Sequence, residues 1–351
     1  TENLLYRMIK VGILGAETAA AGELIRILIN HPDVSLKTVA SESEAGREVS
    51  GLHRGLVGDI DMTVSATLDC AGHEVVFLCG EPWMARHWMQ HNDAEARECG
   101  LKVIDLTGAF RDGSMDMVYG FPEFNRKALV RGALRASVPS VIASAVEPAL
   151  FPLAKNNLLS GAGIQVSVTM AGADSGSGML SEYPVQSSYN VSTRLDPVAP
   201  NEHRPDAEAA AAEVSACLRL IQPSFAGPLQ ITLSRDGVVS RGVTAVVDVP
   251  CSISLNEVRR LFEEAYEDHG FTFPVDFTPV VADVANTNKC LVSLEYCDTH
   301  LSGVSAGQPV LRITSVTDNL LKGAAGTAVH CMNLLFGLSE RTALQLKASA
   351  F

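Results

Sequence analysis

The feature that most constrains the fold is a hydrophobic strand joined to a helix through a turn that contains glycine. Ile9–Leu14 is a β-branched run, and Ala19–Asn30 has the apolar spacing of an amphipathic helix. Further strands and one helix are predicted at Leu36–Ala40, Glu74–Leu78, Trp83–His91 (the helix) and Leu101–Leu106. Strands that alternate with helices at these lengths predict βαβ units and a parallel α/β sheet.

The second half of the chain has a different pattern, and 351 residues suffice for about two domains. Leu255–His269 is a strongly amphipathic predicted helix, and Ala207–Ala216 and Lys322–Phe336 are also predicted to be helical. Five strands are predicted at Ile164–Met170, Leu229–Leu233, Gly242–Pro250, Lys289–Leu294 and Pro309–Ser315. This order favours an α+β domain on a mixed or antiparallel sheet.

Charge and cysteine content exclude several classes of protein. The net charge of −13 argues against a nucleic-acid partner, because phosphate binding needs a basic surface. No apolar run reaches the roughly 18 residues of a membrane helix, and the N-terminus lacks the apolar core of a signal peptide. The eight cysteines form no C-x-x-C pair and no Cys/His cluster of zinc spacing. We therefore expect a reduced, cytoplasmic protein without a metal site.

The turn after the first strand has the features of a dinucleotide-binding loop. Gly12, Gly15 and Ala16 are predicted to contact a cofactor, because small residues let the backbone approach a pyrophosphate at a helix N-terminus. Thr18 replaces a third glycine, and Glu17 places a negative charge close to the phosphates. A tight turn that binds nothing remains an alternative.

The end of the second strand bears on which cofactor is bound. Ser41 and Ser43 offer hydroxyls that could take a 2′-phosphate, which favours NADP. Glu42 could instead receive ribose hydroxyls, as carboxylates do at this position in NAD enzymes. An ordinary polar loop is the third possibility.

Several longer motifs carry a family resemblance. They are VIDLTGAFRD (Val103–Asp112), VYGFPEFNR (Val118–Arg126), NTNKCLVSLE (Asn286–Glu295) and DNLLKGAAGTAVHCMNLLFGL (Asp318–Leu338). With these motifs the chain resembles the N-acetyl-gamma-glutamyl-phosphate reductase family, from Met8 to Phe351. The resemblance implies the NADPH-dependent reduction of an N-acyl-gamma-glutamyl phosphate to the semialdehyde, in arginine biosynthesis. Either an acetyl or a succinyl group fits the family.

The resemblance also implies the domain organisation. A Rossmann domain that binds NADP(H) is expected at residues 8–142, and an α+β domain of the glyceraldehyde-phosphate-dehydrogenase kind at 143–320. Residues 321–351 would form a C-terminal helix that returns to the first domain. The expected partners are a small N-acyl-glutamate derivative and further copies of the chain, in a homodimer or homotetramer.

The family's nucleophile is the feature that this chain lacks. The family uses a cysteine thiolate to form a thioester, and a histidine as the acid/base. Counting back from the segment Pro148–Asn157 places Pro139 on the motif's proline, Ser140 on its glycine and Val141 on its cysteine. A shift of one residue would place Ser140 on the cysteine instead. The acid/base matches His203 in the segment NEHRPD, for which a surface histidine is the alternative.

Other matched positions complete the predicted site. Arg111, Ser177 and Gly178 are expected to bind substrate, although Arg111 and Arg241 could equally form structural salt bridges. Cys79 and Asn319 are expected near the cofactor. A small packing residue is the alternative for Cys79, and a helix cap is the alternative for the segment that begins at Asp318.

Three functions follow from these residues. The first is the family's acyl-phosphate reductase. The second is a catalytically impaired or non-catalytic paralogue, because valine offers no nucleophile at position 141. The third is an NADPH-dependent carbonyl reductase, which needs a cofactor and an acid such as His203 but no thiol.

Overall fold

The computed structural model describes residues 8–159, 161, 163–171, 205–236, 241–298 and 308–348. The chain divides into two compact units. The described part of unit 1 comprises residues 8–139 and 324–346, and that of unit 2 comprises residues between 140 and 323 together with 347 and 348. The α-helices of the described residues are α1 (Ala19–Leu28), α2 (Val49–Leu52), α3 (Pro82–Cys99), α4 (Pro122–Val130), α5 (Val141–Lys155), α6 (Pro205–Ile221), α7 (Leu255–Tyr266) and α8 (Gly326–Leu335).

Unit 1 is built on a six-stranded sheet in which every paired strand is parallel. Its strands are β1 (Ile9–Leu14), β2 (Val34–Ala40), β3 (Val75–Leu78), β4 (Lys102–Asp105), β5 (Val118–Tyr119) and β6 (Arg135–Ser137). The order β2-β1-β3-β4-β6-β5 reverses direction between β1 and β3. In such sheets ligands bind in the crevice outside the carboxyl ends of the strands at the reversal.

The last helix of the chain is part of the core of unit 1. All ten residues of α8 are buried, and the helix packs on α4, β4 and α1. Asn333 on α8 contacts His31, after α1, through Oδ1 and Nε2 at 3.0 Å. A π-helical turn, Leu321–Ala325, leads into α8. The predicted helix Lys322–Phe336 is therefore present, with a wider first turn.

Unit 2 is built on a mixed six-stranded sheet. Its strands are β7 (Ile164–Ala171), β8 (Leu229–Asp236), β9 (Val243–Pro250), β10 (Thr272–Val275), β11 (Cys290–Cys297) and β12 (Val310–Thr317). They follow the order β10-β11-β12-β9-β7-β8, with antiparallel pairs in the middle and a parallel pair at each edge. The mixed sheet predicted from the sequence is thus present.

Helix α5 is the centre of unit 2. Every residue from Ile142 to Ala154 is buried, because α5 packs on β9 and β12 and is flanked by α6 and α7. The Tyr266 hydroxyl donates to the Pro148 carbonyl oxygen at 2.6 Å, which ties α7 to α5. The end of α5 that follows Pro139 is therefore held from several sides.

Element ends differ from the sequence predictions where side-chain patterns are weak. Helix α3 continues beyond the predicted His91 to Cys99, because its outer face is polar and only Gly100, at φ 69°, ends it. Helix α1 ends at Leu28, two residues before Asn30. The elements α2, α4, β5, β6 and β10 were not predicted from the sequence. All of them except α4 have four residues or fewer, which is too few to show a periodicity.

Candidate functional site

The crevice at the carboxyl ends of β1 and β3 is shaped by two glycines. Gly15 follows β1 with φ +94°, a conformation that L side chains rarely adopt. A Cβ at Gly15 would lie 2.6 Å from the Cα of Gly80, which follows β3. The backbones of the two turns therefore approach each other closely. We call this pair of turns, at Gly15 and Gly80, the cradle; it can form only because neither residue has a side chain.

Thr18, at the position of the missing third glycine, has a structural role in the turn. Its hydroxyl accepts from the Ala21 N–H at 3.1 Å, which caps α1. The same hydroxyl donates to the Gly15 carbonyl oxygen at 3.2 Å. The threonine therefore closes the turn that a glycine would leave flexible, and α1 begins with three alanines.

Glu17 brings a carboxylate into the same turn. Its Oε2 atom is buried and makes no hydrogen bond within the described part of the chain. The pKa of the neighbouring Cys79 thiol is raised, mainly by burial and further by the charges of Asp105 and Glu17. Cys79 is 5% exposed at the end of β3, so it packs as a small residue at this edge of the sheet.

His53 is a residue of this site that the sequence analysis missed. Its Nε2 lies 2.7 Å from the Ala16 carbonyl oxygen, and its ring fills the space next to Gly22. Burial lowers the pKa of His53 below its ordinary value of 6.5, against the opposing effects of that hydrogen bond and of Glu23 and Glu17. The neutral ring therefore donates to Ala16 and fixes the turn. No spacing in the sequence links position 53 to the glycine turn.

The remaining predicted cofactor residues of unit 1 divide into two groups. Ser43 is exposed just beyond β2, whereas Ser41 is fully buried, with its hydroxyl 3.1 Å from that of Ser43. Gly12 lies inside β1, where a Cβ would collide with Leu68. Ser43 therefore faces solvent just beyond β2, while Gly12 allows close packing inside the sheet.

A nicotinamide dinucleotide fits the shape of this crevice. The backbone cradle of Gly15 and Gly80 lies at the point where the strand order reverses, next to the N-terminus of α1. Glu17 lies in the same turn, with its Oε2 atom buried. The shape of the crevice thus fits the cofactor.

Arg111 lies in a loop that a buried carboxylate organises. Asp105, at the end of β4, accepts from the N–H groups of Thr107 at 2.9 Å and Phe110 at 3.3 Å, and from the Ser137 hydroxyl at 3.1 Å. The Nε of Arg111 donates to the Val138 carbonyl oxygen at 2.9 Å. This contact holds the guanidinium half-buried beside Gly108.

Val141 is the first residue of α5 and lies beside the π-helical turn. Ser140 caps the helix by accepting from the Ala143 N–H at 3.1 Å. A Cβ at Gly323 would lie 3.5 Å from both methyl groups of Val141, so the valine side chain packs against this glycine. The Oε1 of Glu213, on α6, accepts from the Ser140 N–H at 2.8 Å. A hydrocarbon side chain thus lies at the position predicted for the nucleophile, and the Glu213 carboxylate is bonded to the residue before it.

The segment before α8 is held by a bidentate ion pair. Arg241 donates from Nε and a terminal nitrogen to the two carboxylate oxygens of Asp318, both at 2.9 Å. Asp318 also accepts from the Leu320 and Leu321 N–H groups, which makes it a helix cap. Asn319 is 1% exposed and its Oδ1 accepts from the Gly242 N–H at 2.8 Å. The structural alternative weighed for Arg241 is therefore present.

The cysteines do not occupy the position predicted for a thiol on α5. All eight lie in the described part of the chain, all are free thiols, and none is on α5. Burial raises the pKa of Cys70 to about 11 and that of Cys217 further, which disfavours the reactive thiolate. His203, Ser177 and Gly178 lie outside the described residues.

Two family models match the chain. Residues 10–131 match the semialdehyde dehydrogenase NAD-binding domain, and residues 142–319 match the semialdehyde dehydrogenase dimerisation domain. Among solved structures, aspartate semialdehyde dehydrogenase II from Vibrio cholerae aligns with a TM-score of 0.65 at 19% identity, over 94% of this chain and 99% of that one. An aspartate semialdehyde dehydrogenase from Candida albicans with NADP aligns with a TM-score of 0.69 at 15% identity, over 94% and 98%. These likenesses confirm the predicted fold class, a Rossmann domain joined to an α+β domain.

Sequence identity to curated relatives establishes the family of this chain. An N-acetyl-gamma-glutamyl-phosphate reductase of Parabacteroides distasonis is 36% identical over 98% of this chain and 100% of its own length. The protein of that name from Bacteroides thetaiotaomicron is also 36% identical, over the same shares. The chain belongs to the N-acetyl-gamma-glutamyl-phosphate reductase family. The resemblance found from the motifs is confirmed, and so is the prediction of a nicotinamide-dinucleotide-binding domain.

Membership of the N-acetyl-gamma-glutamyl-phosphate reductase family also bears on assembly. The match to the dimerisation domain supports the predicted self-association in its general form. Among the described residues, no helix is long and apolar enough to cross a membrane. No group of three or more metal-ligating side chains is found in the same part of the chain.

Proposed function

We propose that this chain acts on an N-acyl-gamma-glutamyl phosphate with NADP(H), in the reaction for which its relatives are named. The supporting observation is the 36% identity over 98% of the chain, which covers both the NAD-binding and the dimerisation domain. In this reaction the acyl phosphate, NADPH and a proton give the semialdehyde, inorganic phosphate and NADP⁺. The acyl group is acetyl or succinyl.

The chain's own residues have separate tasks in this proposal. The backbone around Gly15 and Gly80 admits the pyrophosphate, and Ser43 takes the 2′-phosphate at the end of β2. When bound, NADPH supplies the hydride. Arg111 binds an anionic group of the substrate, and His203 provides the proton. Ser177 and Gly178 contact the substrate.

The reductase proposal is tested with purified chain and N-acyl-glutamate semialdehyde. Phosphate-dependent formation of NADPH that is lost in H203A would support it. Absence of turnover at micromolar enzyme, with both acyl groups, would exclude it. Reduction of aldehydes without any dependence on phosphate would instead support the carbonyl reductase that uses His203.

A second candidate, a non-catalytic family member, is favoured by one observation. Val141 begins the helix on which the family's nucleophile is expected, and its methyl groups lie against Gly323. A hydrocarbon cannot attack an acyl phosphate, so no thioester forms there. Calorimetric binding of NADPH without turnover would select this candidate, because it retains the cradle and lacks the chemistry.

We also propose that the chain is a cytoplasmic homodimer or homotetramer. The dimerisation-domain match supports the assembly, and the eight free thiols are typical of a reducing compartment. Light scattering coupled to size-exclusion chromatography tests the assembly, and a monomer at micromolar concentration would contradict it.

A further inference from the structure

Two histidines lie one turn apart on the outer face of α3, in unit 1. His87 and His91 are four residues apart, a spacing that places two side chains on the same face of a helix. Both are exposed, whereas the buried side of α3 includes Ala85, Trp88 and Met89. The centroids of the two imidazole rings are 4.3 Å apart, and the ring planes meet at 48°. The core of unit 1 therefore does not account for this pair.

A hydrogen bond fixes which nitrogen of the His91 ring has the lone pair. The Nδ1 of His91 lies 2.8 Å from the carbonyl oxygen of His87. A carbonyl oxygen only accepts hydrogen bonds, so Nδ1 has the proton and donates it. In the neutral ring the lone pair is then on Nε2. Histidines that bind metals are typically oriented in this way, because their second ring nitrogen donates to a carbonyl or a carboxylate.

The separation of the two rings suits one shared metal ion. A bond from an imidazole nitrogen to zinc is about 2.0–2.1 Å long, so two nitrogens on one ion are at most about 4 Å apart. Rings with centroids 4.3 Å apart reach this arrangement by small rotations of exposed side chains. Two histidines four residues apart on one helix also bind the zinc of helical metalloprotease motifs. The sequence analysis considered only Cys/His clusters, so it did not predict this pair.

The two rings would provide part of the coordination shell of the ion. No group of three or more metal-ligating side chains occurs among the residues that the structure describes, so water would fill the remaining positions. Imidazole nitrogens favour copper, nickel and zinc ions. Magnesium and calcium ions prefer oxygen ligands. The ligand chemistry therefore points to a first-row transition metal.

Charges near the pair also bear on a cation. Glu95 is exposed one turn after His91 on α3, and the whole chain has a net charge of −13. A surplus of negative charge raises the local concentration of cations at the surface. Arg86 precedes His87 in the sequence, and its charge interacts with that of Asp112. The surroundings thus contain carboxylates as well as this one neighbouring cation.

We propose that His87 and His91 form a binding site for a divalent first-row transition-metal ion on the outer face of α3. Cu²⁺ should bind more tightly than Ni²⁺ or Zn²⁺, in the usual order for nitrogen ligands. The unfolded chain does not hold the two rings in this geometry, so the bound ion stabilises the folded state. Neither histidine shapes the dinucleotide crevice, and the inference does not depend on the proposed reductase activity.

The test moves one histidine along the helix while the composition stays the same. Calorimetry in metal-free buffer measures Ni²⁺ binding to the original chain, to H87Q and to H91Q. H87Q/E95H has histidines at positions 91 and 95, which restores the spacing of four residues. H91Q/E95H has them at positions 87 and 95, about 12 Å apart along the helix axis. The two double variants therefore differ only in the distance between their histidines.

The two single variants should bind Ni²⁺ at least about tenfold more weakly than the original chain, because the second ligand then no longer acts within the same site. H87Q/E95H should recover the affinity, whereas H91Q/E95H should not. H269Q, at a half-buried histidine of unit 2, should bind as the original chain does. Equal affinity of the original chain and both single variants would overturn the proposal, and so would equal affinity of the two double variants.

Thermal unfolding provides a second readout of the same site. Ni²⁺ should raise the unfolding temperature of the original chain and of H87Q/E95H, because the ion binds the folded state, and a chelator should reverse the rise. The rise should be smaller in H91Q/E95H. The same rise in both double variants would contradict the proposal, since it would show that the ion binds elsewhere on the chain.

Discussion

Two helix starts in this chain each have a glutamate close to the cap residue. At the start of α1, Glu17 has a buried Oε2 without a hydrogen bond in the described structure. At the start of α5, Glu213 is bonded to the Ser140 N–H. Both helices have a hydroxyl cap, from Thr18 and Ser140, so their N-termini are equally well formed.

The difference lies in what each carboxylate does to the turn. Glu17 adds charge but leaves the cradle of Gly15 and Gly80 open, so the dinucleotide site keeps its shape. Glu213 is built into the cap of α5, beside a valine that packs against Gly323. The turn before α1 therefore keeps the open backbone of a dinucleotide site, whereas the first turn of α5 has a hydrocarbon side chain at position 141 and a carboxylate bonded to its cap residue.

The largest effect is expected from closing the cradle. G15A forces a side chain into a left-handed conformation and against Gly80, which should lower the free energy of unfolding by at least about 2 kcal/mol and abolish NADPH binding. Urea unfolding and calorimetry measure the two effects. In G46A, with φ +84° and no atom within 4 Å, the loss should be about 1 kcal/mol with binding intact.

Removing the charge of Glu17 should strengthen cofactor binding. E17Q is expected to bind NADPH about tenfold more tightly, or about 1.4 kcal/mol, because a carboxylate no longer faces the pyrophosphate. Calorimetry at low salt checks this, and the gain should shrink as salt is added. E98Q, at an exposed position near the other end of α3, should leave the affinity unchanged. An equal gain in E98Q would mean that net charge alone is responsible.

The two caps should contribute similarly to stability. T18A and S140A each remove a side-chain acceptor from a helix start and should each cost about 1 kcal/mol of unfolding free energy. Only T18A should also weaken NADPH binding, because Thr18 closes the glycine turn. Unchanged binding in T18A would show that the turn holds its shape without the hydroxyl.

The smallest effect concerns pH. The pKa of His53 is lowered by burial, so the unfolded chain takes up a proton near pH 6.5 while the folded chain does so only at lower pH. Stability from this group is complete above pH 6.5 and is lost as the pH falls towards the folded value. Unfolding of H53Q should therefore depend less on pH between 6.5 and 5 than unfolding of the original chain. H87Q, at an exposed histidine, should not change the dependence.

Local patterns made much of the fold predictable. The alternation of Ile9–Leu14 with the amphipathic run after it predicts β1 and α1, and β1 has the predicted bounds. The spacing of Val258, Leu261 and Phe262 likewise predicts α7. The strands β5 and β6 have two and three residues, too few for a periodicity, and pair only because the sheet is already present.

The sequence offers site predictions only where the residues are consecutive. The predictions at Gly15, Ala16 and Val141 each rest on a motif within a single segment. His53 reaches Ala16, and Glu213 reaches Ser140, through contacts between distant parts of each unit. No spacing along the chain encodes these approaches, because they depend on how helices pack.

The approach of Gly15 to Gly80 also has a consequence for the order of folding. The two glycines are far apart in sequence and meet only after β3 has paired with β1. Closing such a long loop is slow relative to forming α1 alone. The dinucleotide crevice therefore forms late in folding. A chain in which only the first strand and helix have formed has no site that can bind a nucleotide.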